Sequence, residues 1–202
     1  MIRFDILLLA TFMAASAAHA EPMWQKYNLD EGIALDLPGK PTIESGVYRD
    51  YIAKTVKTKI YKTEVDNVRY QVIVADFRNR LIDTPNILGE AYLGQSAKGT
   101  LVQDIPVRTD VVGKAAYGRQ VTVDTKDGVR SAASIYSYGG YLFIFETDIL
   151  PAGDRGSPEP SRFHYSIQFD PSHDWSAPPP QPKPANAANV QAPPAQNPGR
   201  GN

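Results

Sequence analysis

The sequence predicts an α+β domain: an antiparallel sheet of about six or seven strands, flanked by one main helix over about residues 85–102 and one short C-terminal helix over about 158–165. Three observations predict it. Runs of strand length alternate apolar with polar residues. Asp-Asn, Asp-Gly and Gly-Gly pairs fall between those runs, where hairpin turns belong. A Thr-Pro start signal opens the main stretch that lacks strand alternation.

The chain begins "MIRFDILLLATFMAASAAHA". Arg3 supplies a short positive region, Ile6 to Ala18 an apolar run, and Ala18-His19-Ala20 a small-x-small cleavage site. Residues 1–20 therefore read as a signal peptide cleaved near Ala20. The apolar run is too short to cross about 30 Å of hydrocarbon, and no later segment has transmembrane length. The expected location is periplasmic or secreted. The chain has no cysteine, which excludes disulfides, thiolate metal sites, cysteine nucleophiles and a lipid anchor on cysteine together.

In "IALDLPGKP", Ile33, Leu35 and Leu37 alternate as a half-buried strand. Pro38 cannot donate to a ladder, and Pro38-Gly39 suits the centre of a type II turn, so the stretch reads as a structural corner. "TVKTKIYKTEV" places Val56, Thr58 and Ile60 on one face and Lys57, Lys59 and Tyr61 on the other. "VRYQVIVADF" puts Val68, Tyr70, Val72 and Val74 on one face, and Asp66-Asn67 turns the pair into a hairpin. Thr84 as N-cap and Pro85 at the first helical position open the main helix, with Leu88, Ala91, Tyr92 and Val102 near one stripe. Residues 118–150 read as a three-strand meander with turns at Asp127-Gly128 and Gly139-Gly140. Its last strand, "YLFIFE", is apolar on both faces, as in a central strand covered from both sides. A short helix near Ser157-Pro158-Glu159 leads into a closing strand, "SIQF".

The expected division is a signal peptide (1–20), a single α+β domain (21–170) and a disordered Pro-rich tail (171–202). The middle segment, of about 150 residues, is ample for one core. A formal net charge of −1 gives no global field for nucleic acid or an anionic membrane.

Trp24, "YNLDEGIALDLPGKP", a hairpin, a helix, a meander and a final "SRFHYSIQF" resemble small exported bacterial proteins of unknown function with a PsbP-like α/β sandwich domain. Pro38-Gly39-Lys40-Pro41 and the aromatic run from Phe163 to Phe169 carry the resemblance, over about residues 24–169. It implies an antiparallel sheet flanked by helices and brings no catalytic residues.

No catalytic motif is present: no Gly-x-Ser-x-Gly, P-loop or dinucleotide fingerprint. No cofactor and no metal are expected. Asp170, His173 and Asp174 are cation-type ligands on a segment with no rigid element to orient them. His164, beside Phe163 and Tyr165, reads as a packed or surface imidazole. "DTKDG" lacks the bidentate Glu of a calcium loop. A carboxylate-dependent hydrolase would need two of Asp76, Asp83, Glu90, Asp104 and Asp148 to face one another. Two binding clusters are candidates. Lys54, Lys57, Lys59, Lys62 and Arg69 form a basic group, which Arg49 extends. Tyr136, Tyr138 and Tyr141 gather at the Gly-Gly turn.

The leading expectation is a non-enzymatic exported binding or accessory module that contacts a protein or cell-envelope partner. One alternative is a small-ligand carrier with an apolar pocket lined by Tyr92, Tyr141 and Phe143; the other is the hydrolase. Trp175 is the last large apolar anchor before the tail. Deleting Ser176 to Asn202 is expected to leave the melting temperature within about two degrees, because no core contact is lost. A larger fall in a thermal melt would mean that the segment folds onto the domain.

Overall fold

The computed structural model describes residues 23–49, 55–79, 84–111 and 113–176. The expected signal peptide and the chain beyond Ser176 lie outside the described residues. In chain order the elements are β1 (Gln25–Leu29), β2 (Ile33–Leu37), β3 (Thr42–Arg49), β4 (Thr55–Val65), β5 (Val68–Asp76), α1 (Thr84–Ser96), β6 (Gly99–Val111), β7 (Lys114–Thr125), β8 (Arg130–Tyr138), β9 (Tyr141–Ile149), α2 (Glu159–Tyr165) and β10 (Gln168–Phe169).

β9 is buried along nearly its whole length. It sits in the middle of a seven-stranded antiparallel sheet of order β3-β4-β5-β9-β8-β7-β6. Alternation sends Tyr141, Phe143 and Phe145 to one face and Leu142 and Ile144 to the other. Each face then needs its own cover. A second antiparallel sheet, β1-β2-β10, and α2 cover the first, hereafter the layered face. Leu29, Ile33, Leu35, Leu37 and Phe163 pack there on Val72, Val74, Phe143 and Phe145. α1 covers the opposite, helix face, where Ile87 and Ala91 meet Val121, Ala133, Ile135, Leu142 and Ile144. Burying each of the larger of these side chains, the alanines aside, is worth about 1.5–3 kcal/mol.

The hairpins follow their turn chemistry. Asp66 and Asn67 both have positive φ, 52° and 61°, the primed two-residue turn that matches strand twist. Gly139 and Gly140 do the same at 58° and 78°. Pro38 and Gly39 carry the chain from the small sheet to the large one, so the stretch is a corner. It is a bend and not a type II turn, since Gly39 has φ 146° and that turn needs about 80°.

The main helix ends at Ser96 rather than near 102, and residues 99–111 form an edge strand instead. Gly99 explains the switch. A Cβ there would lie 2.2 Å from the Asp124 carbonyl oxygen, so the glycine allows β6 to start hard against β7. Val102, expected on the helical stripe, is half-exposed on β6.

After β10 the chain turns back onto the layered face. The Trp175 ring lies edge-on to Tyr138, Tyr141 and Phe143, with centroids 5.1, 6.5 and 6.3 Å away. Its indole nitrogen donates to the Asp170 carbonyl at 3.1 Å. Two glycines make room: a Cβ on Gly139 would meet Trp175 at 2.7 Å, and one on Gly32 would meet the His173 ring at 2.4 Å. Trp175→Ala is expected to cost about 2 kcal/mol, below the full-burial value because the ring is only partly enclosed. Urea titration at unchanged m checks it; no shift in midpoint would mean that the aromatic cluster stands without its last ring.

Candidate functional site

A polar cleft of about 450 Å³ opens on the layered face, over β4, β5 and the first residue of β9. Period-2 alternation along β4 turns Lys57 and Lys59 to this face, while Val74 and Asp76 arrive from β5. Asp30 and Glu31, from the turn between β1 and β2, form the opposite wall. Gly32 closes that turn at φ 74°. Arg78, just past β5, and Tyr141 complete the rim.

The charges inside are largely paired. Lys59 Nζ lies 2.8 Å from both Asp30 Oδ2 and Glu31 Oε1. Burial works against the Lys59 charge, but hydrogen bonds to Asp30 and Glu31 outweigh it and raise its pKa. The Lys59 hydrogen bond holds Asp30 below the ordinary carboxylate value. Tyr61 donates to Glu31 Oε2 at 2.7 Å, and burial, then the Glu31 carboxylate, raise its phenol. Arg78 grips Asp76 through two nitrogens, at 3.0 and 2.8 Å, and its guanidinium lies 4.5 Å from the Tyr141 ring centroid. Burial alone would raise Asp76, but the Arg78 bonds outweigh it and hold the carboxyl down. Lys57 is exposed and, among the described residues, has no carboxylate partner.

Of the basic group, Lys57 and Lys59 come together in the cleft. Lys62 and Arg69 point to the helix face, where Lys62 pairs with Glu44 at 2.6 Å and Arg69 with Asp148 at 3.4 Å. Lys54 lies outside the described residues. Of the tyrosines, only Tyr141 lines the cleft. Tyr136 packs on Phe145 and Phe169, and Tyr138 on Phe169 and Trp175 while donating to the Val111 carbonyl. Both belong to the core.

The carrier pocket does not form, because Tyr92 sits on the helix face and Tyr141 and Phe143 on the layered face. The carboxylates named for a hydrolase are scattered. Asp76 is held by Arg78, Asp104 by Arg119 and Tyr92, and Asp148 by Arg69. Asp76 is paired with Tyr141 and Asp148 with Arg69, at opposite ends of β5 and β9 and on opposite faces. Glu146 neighbours Asp148 on one strand and is engaged by Lys98 and Ser131. Asp83 lies outside the described residues. Among those described, no group of three His, Asp or Glu is placed to hold a metal ion. Asp170 accepts from Ser172, and Asp174 from Ser176.

Sequence reasoning missed Asp30, Glu31 and Arg78. The Lys59–Asp30 contact spans 29 positions, which no local pattern reveals. A turn carrying two carboxylates, Asp30-Glu31-Gly32, was the available signal.

No protein-family model and no curated protein matches the chain. Among solved structures, it is similar to the solution structure of cyanobacterial PsbP (CyanoP) from Synechocystis sp. PCC 6803, with a TM-score of 0.47 and 12% identity, over 78% of this chain and 98% of that one. PsbP is also the family whose domain the sequence motifs resemble.

His164, on α2, packs its ring down onto β8 and β9. Ser134 Oγ lies 2.9 Å from Nδ1 and Thr147 Oγ1 3.1 Å from Nε2. A neutral ring carries one N–H and one lone pair, and each hydroxyl can either donate or accept, so either tautomer satisfies both contacts. Both partners suit the neutral ring. Burial pushes its pKa down from 6.5 to about 4. The unfolded chain therefore takes up a proton first as pH falls. Stability from the neutral ring is fully present above pH 6.5 and is lost towards pH 4, about 3 kcal/mol in all. Urea melts across that window check it. His164→Gln should lack this slope, and an unchanged slope would remove His164 as its source.

Proposed function

We propose that the chain is an exported, non-enzymatic binding module that contacts a protein partner of the cell envelope through the Lys57 cleft. One observation carries the reading: the cleft is open, its floor is sheet, and its charges are engaged with one another, which leaves Lys57, among the described residues that line it, as the cation with no carboxylate partner. Catalysis is poorly served there. Asp30 and Asp76 are both held below their ordinary values, opposite to what a general acid needs. No serine-histidine pair lines it. Residues 1–20 would direct export, and the Pro-rich segment would act as an extended spacer, roughly 3 Å per residue.

The test is capture from an envelope extract with immobilised wild-type protein, with Lys57→Glu, and with the chain shortened after Ser176. A partner retained by wild type and lost with Lys57→Glu is the expected result. Equal capture by Lys57→Glu would move the site elsewhere, and no enriched partner would count against the module itself. Lys57 is exposed, so melting temperatures should agree within about one or two degrees.

A further inference from the structure

The seven-stranded sheet has two edges, and they are built differently. β6 has a register shift between Leu101 and Gln103, and Pro106 interrupts its donors. Both features hinder an added strand. β3 has neither: its eight residues pair with β4 in unbroken register from Thr42↔Lys62 to Arg49↔Thr55. Its layered face shows Ile43 and Val47, 61% and 71% exposed. Glu44, which would repel an acidic strand, points to the other face and is tied to Lys62.

Two depressions flank this edge at strand spacing. Ile43 lines one of about 180 Å³ together with Tyr27, Pro41 and Tyr61. Ser45, two positions on and on the same face, lines the Lys57 cleft. Lys57 lies directly across from Val47. Lys40, at the first depression, is exposed and, like Lys57, has no carboxylate partner among the described residues. Asp30 lines both depressions and Glu31 the cleft, but Lys59 engages both carboxylates, so the unengaged charges of this surface are the two ammonium groups, set among apolar side chains.

Resting on the binding reading above, we propose that β3 is a docking edge for an extended acidic–apolar segment of the partner. The segment would add as a further strand of the large sheet, with an apolar side chain over Ile43 and carboxylates over Lys40 and Lys57. Main-chain pairing gives such docking its affinity, and alternate side chains its specificity. The chain's own residues 177–202 do not fit. They contain no Asp or Glu, carry Lys183 and Arg200, and are rich in proline, which cannot pair along a strand.

The test uses the full mature chain and a fluorescein-labelled Glu-Thr-Thr-Thr-Leu-Thr-Glu peptide, whose first, fifth and seventh side chains share one face of a strand, read by anisotropy at low salt. Two controls are Lys-Thr-Thr-Thr-Leu-Thr-Lys and the acidic peptide N-methylated at alternate amides. The acidic peptide should bind at least about tenfold tighter than the lysine peptide, and N-methylation should abolish binding. Ile43→Asp and Lys57→Glu should each weaken it about fivefold or more with melting temperature unchanged. β3 amides should gain exchange protection in the complex. Equal affinity for the N-methylated peptide, or none for the acidic one, overturns strand addition. If capture from the extract still depends on Lys57 in that case, the binding module stands and only the docking mode falls. A dimer by light scattering that Ile43→Asp dissolves would make a second copy the occupant and overturn the partner segment.

Discussion

β9 must be covered twice, and the rest of the molecule is arranged to do so. Tyr141, Phe143 and Phe145 face one way and Leu142 and Ile144 the other. A helix alone would leave the phenylalanines wet, and the small sheet alone would expose Leu142 and Ile144. The chain therefore spends its two ends, β1–β2 and α2–β10, on one face and its middle helix on the other. The aromatic packing ties these pieces together: Phe169 of β10 touches Tyr136 and Phe143, and Phe163 of α2 touches Tyr70. Such pairs add about 0.5–1.5 kcal/mol each beyond burial.

Charge enters where cover runs out. α1 stops at Ser96, and the lysine two residues later reaches back to Glu146, the buried carboxylate that follows Phe145 on β9. Ser131 donates to the same carboxylate at 2.8 Å. Removing either partner would leave Glu146 desolvated and underpaired, which costs more than the pair contributes. The Tyr92–Asp104–Arg119 group fastens the other side of α1 to β6 and β7, with the guanidinium 4.2 Å from the Tyr92 ring centroid.

What could be read from the sequence was what local physics writes there. Unbroken apolarity in "YLFIFE" marked the central strand, and Asp66-Asn67 and Gly139-Gly140 marked turns whose positive φ only a few residues accept. The two faces of β4 were legible from alternation, including the shared direction of Lys57 and Lys59. The end of α1 was not, because Gly99 is glycine on account of a backbone atom 25 positions away, the Asp124 carbonyl. β3 was not either: "TIESGVYR" lacks a strand's usual buried face because it is an edge, where only Gly46 and Tyr48 are partly covered, Tyr48 by Phe77. Tyr136 and Tyr138 misled for a related reason. Tyrosine at a turn is ambiguous until it is known whether a second layer lies above it, and here β10 and Trp175 do.

The cleft itself follows from a mismatch of lengths. β1 and β2 have five residues each, about 17 Å, and cannot span β4, whose eleven reach about 36 Å. α2 and the Trp175 segment extend the cover over β5, β8 and β9, towards the middle of the sheet. Among the described residues nothing comparable lies over β3 and the Lys57 end of β4, and there the layered face stays open. Lys57 and Lys59 occupy positions that a complete second layer would have required to be apolar, and the Asp30-Glu31 turn is the last piece of that layer to reach them. The floor belongs to the central sheet and the wall to a turn closed by Gly32 and buttressed by His173. A groove with both sides fixed in this way pays little ordering entropy when it is filled. A strand added beyond β3 would lie beside this opening, with the side chains of one face leaning over it.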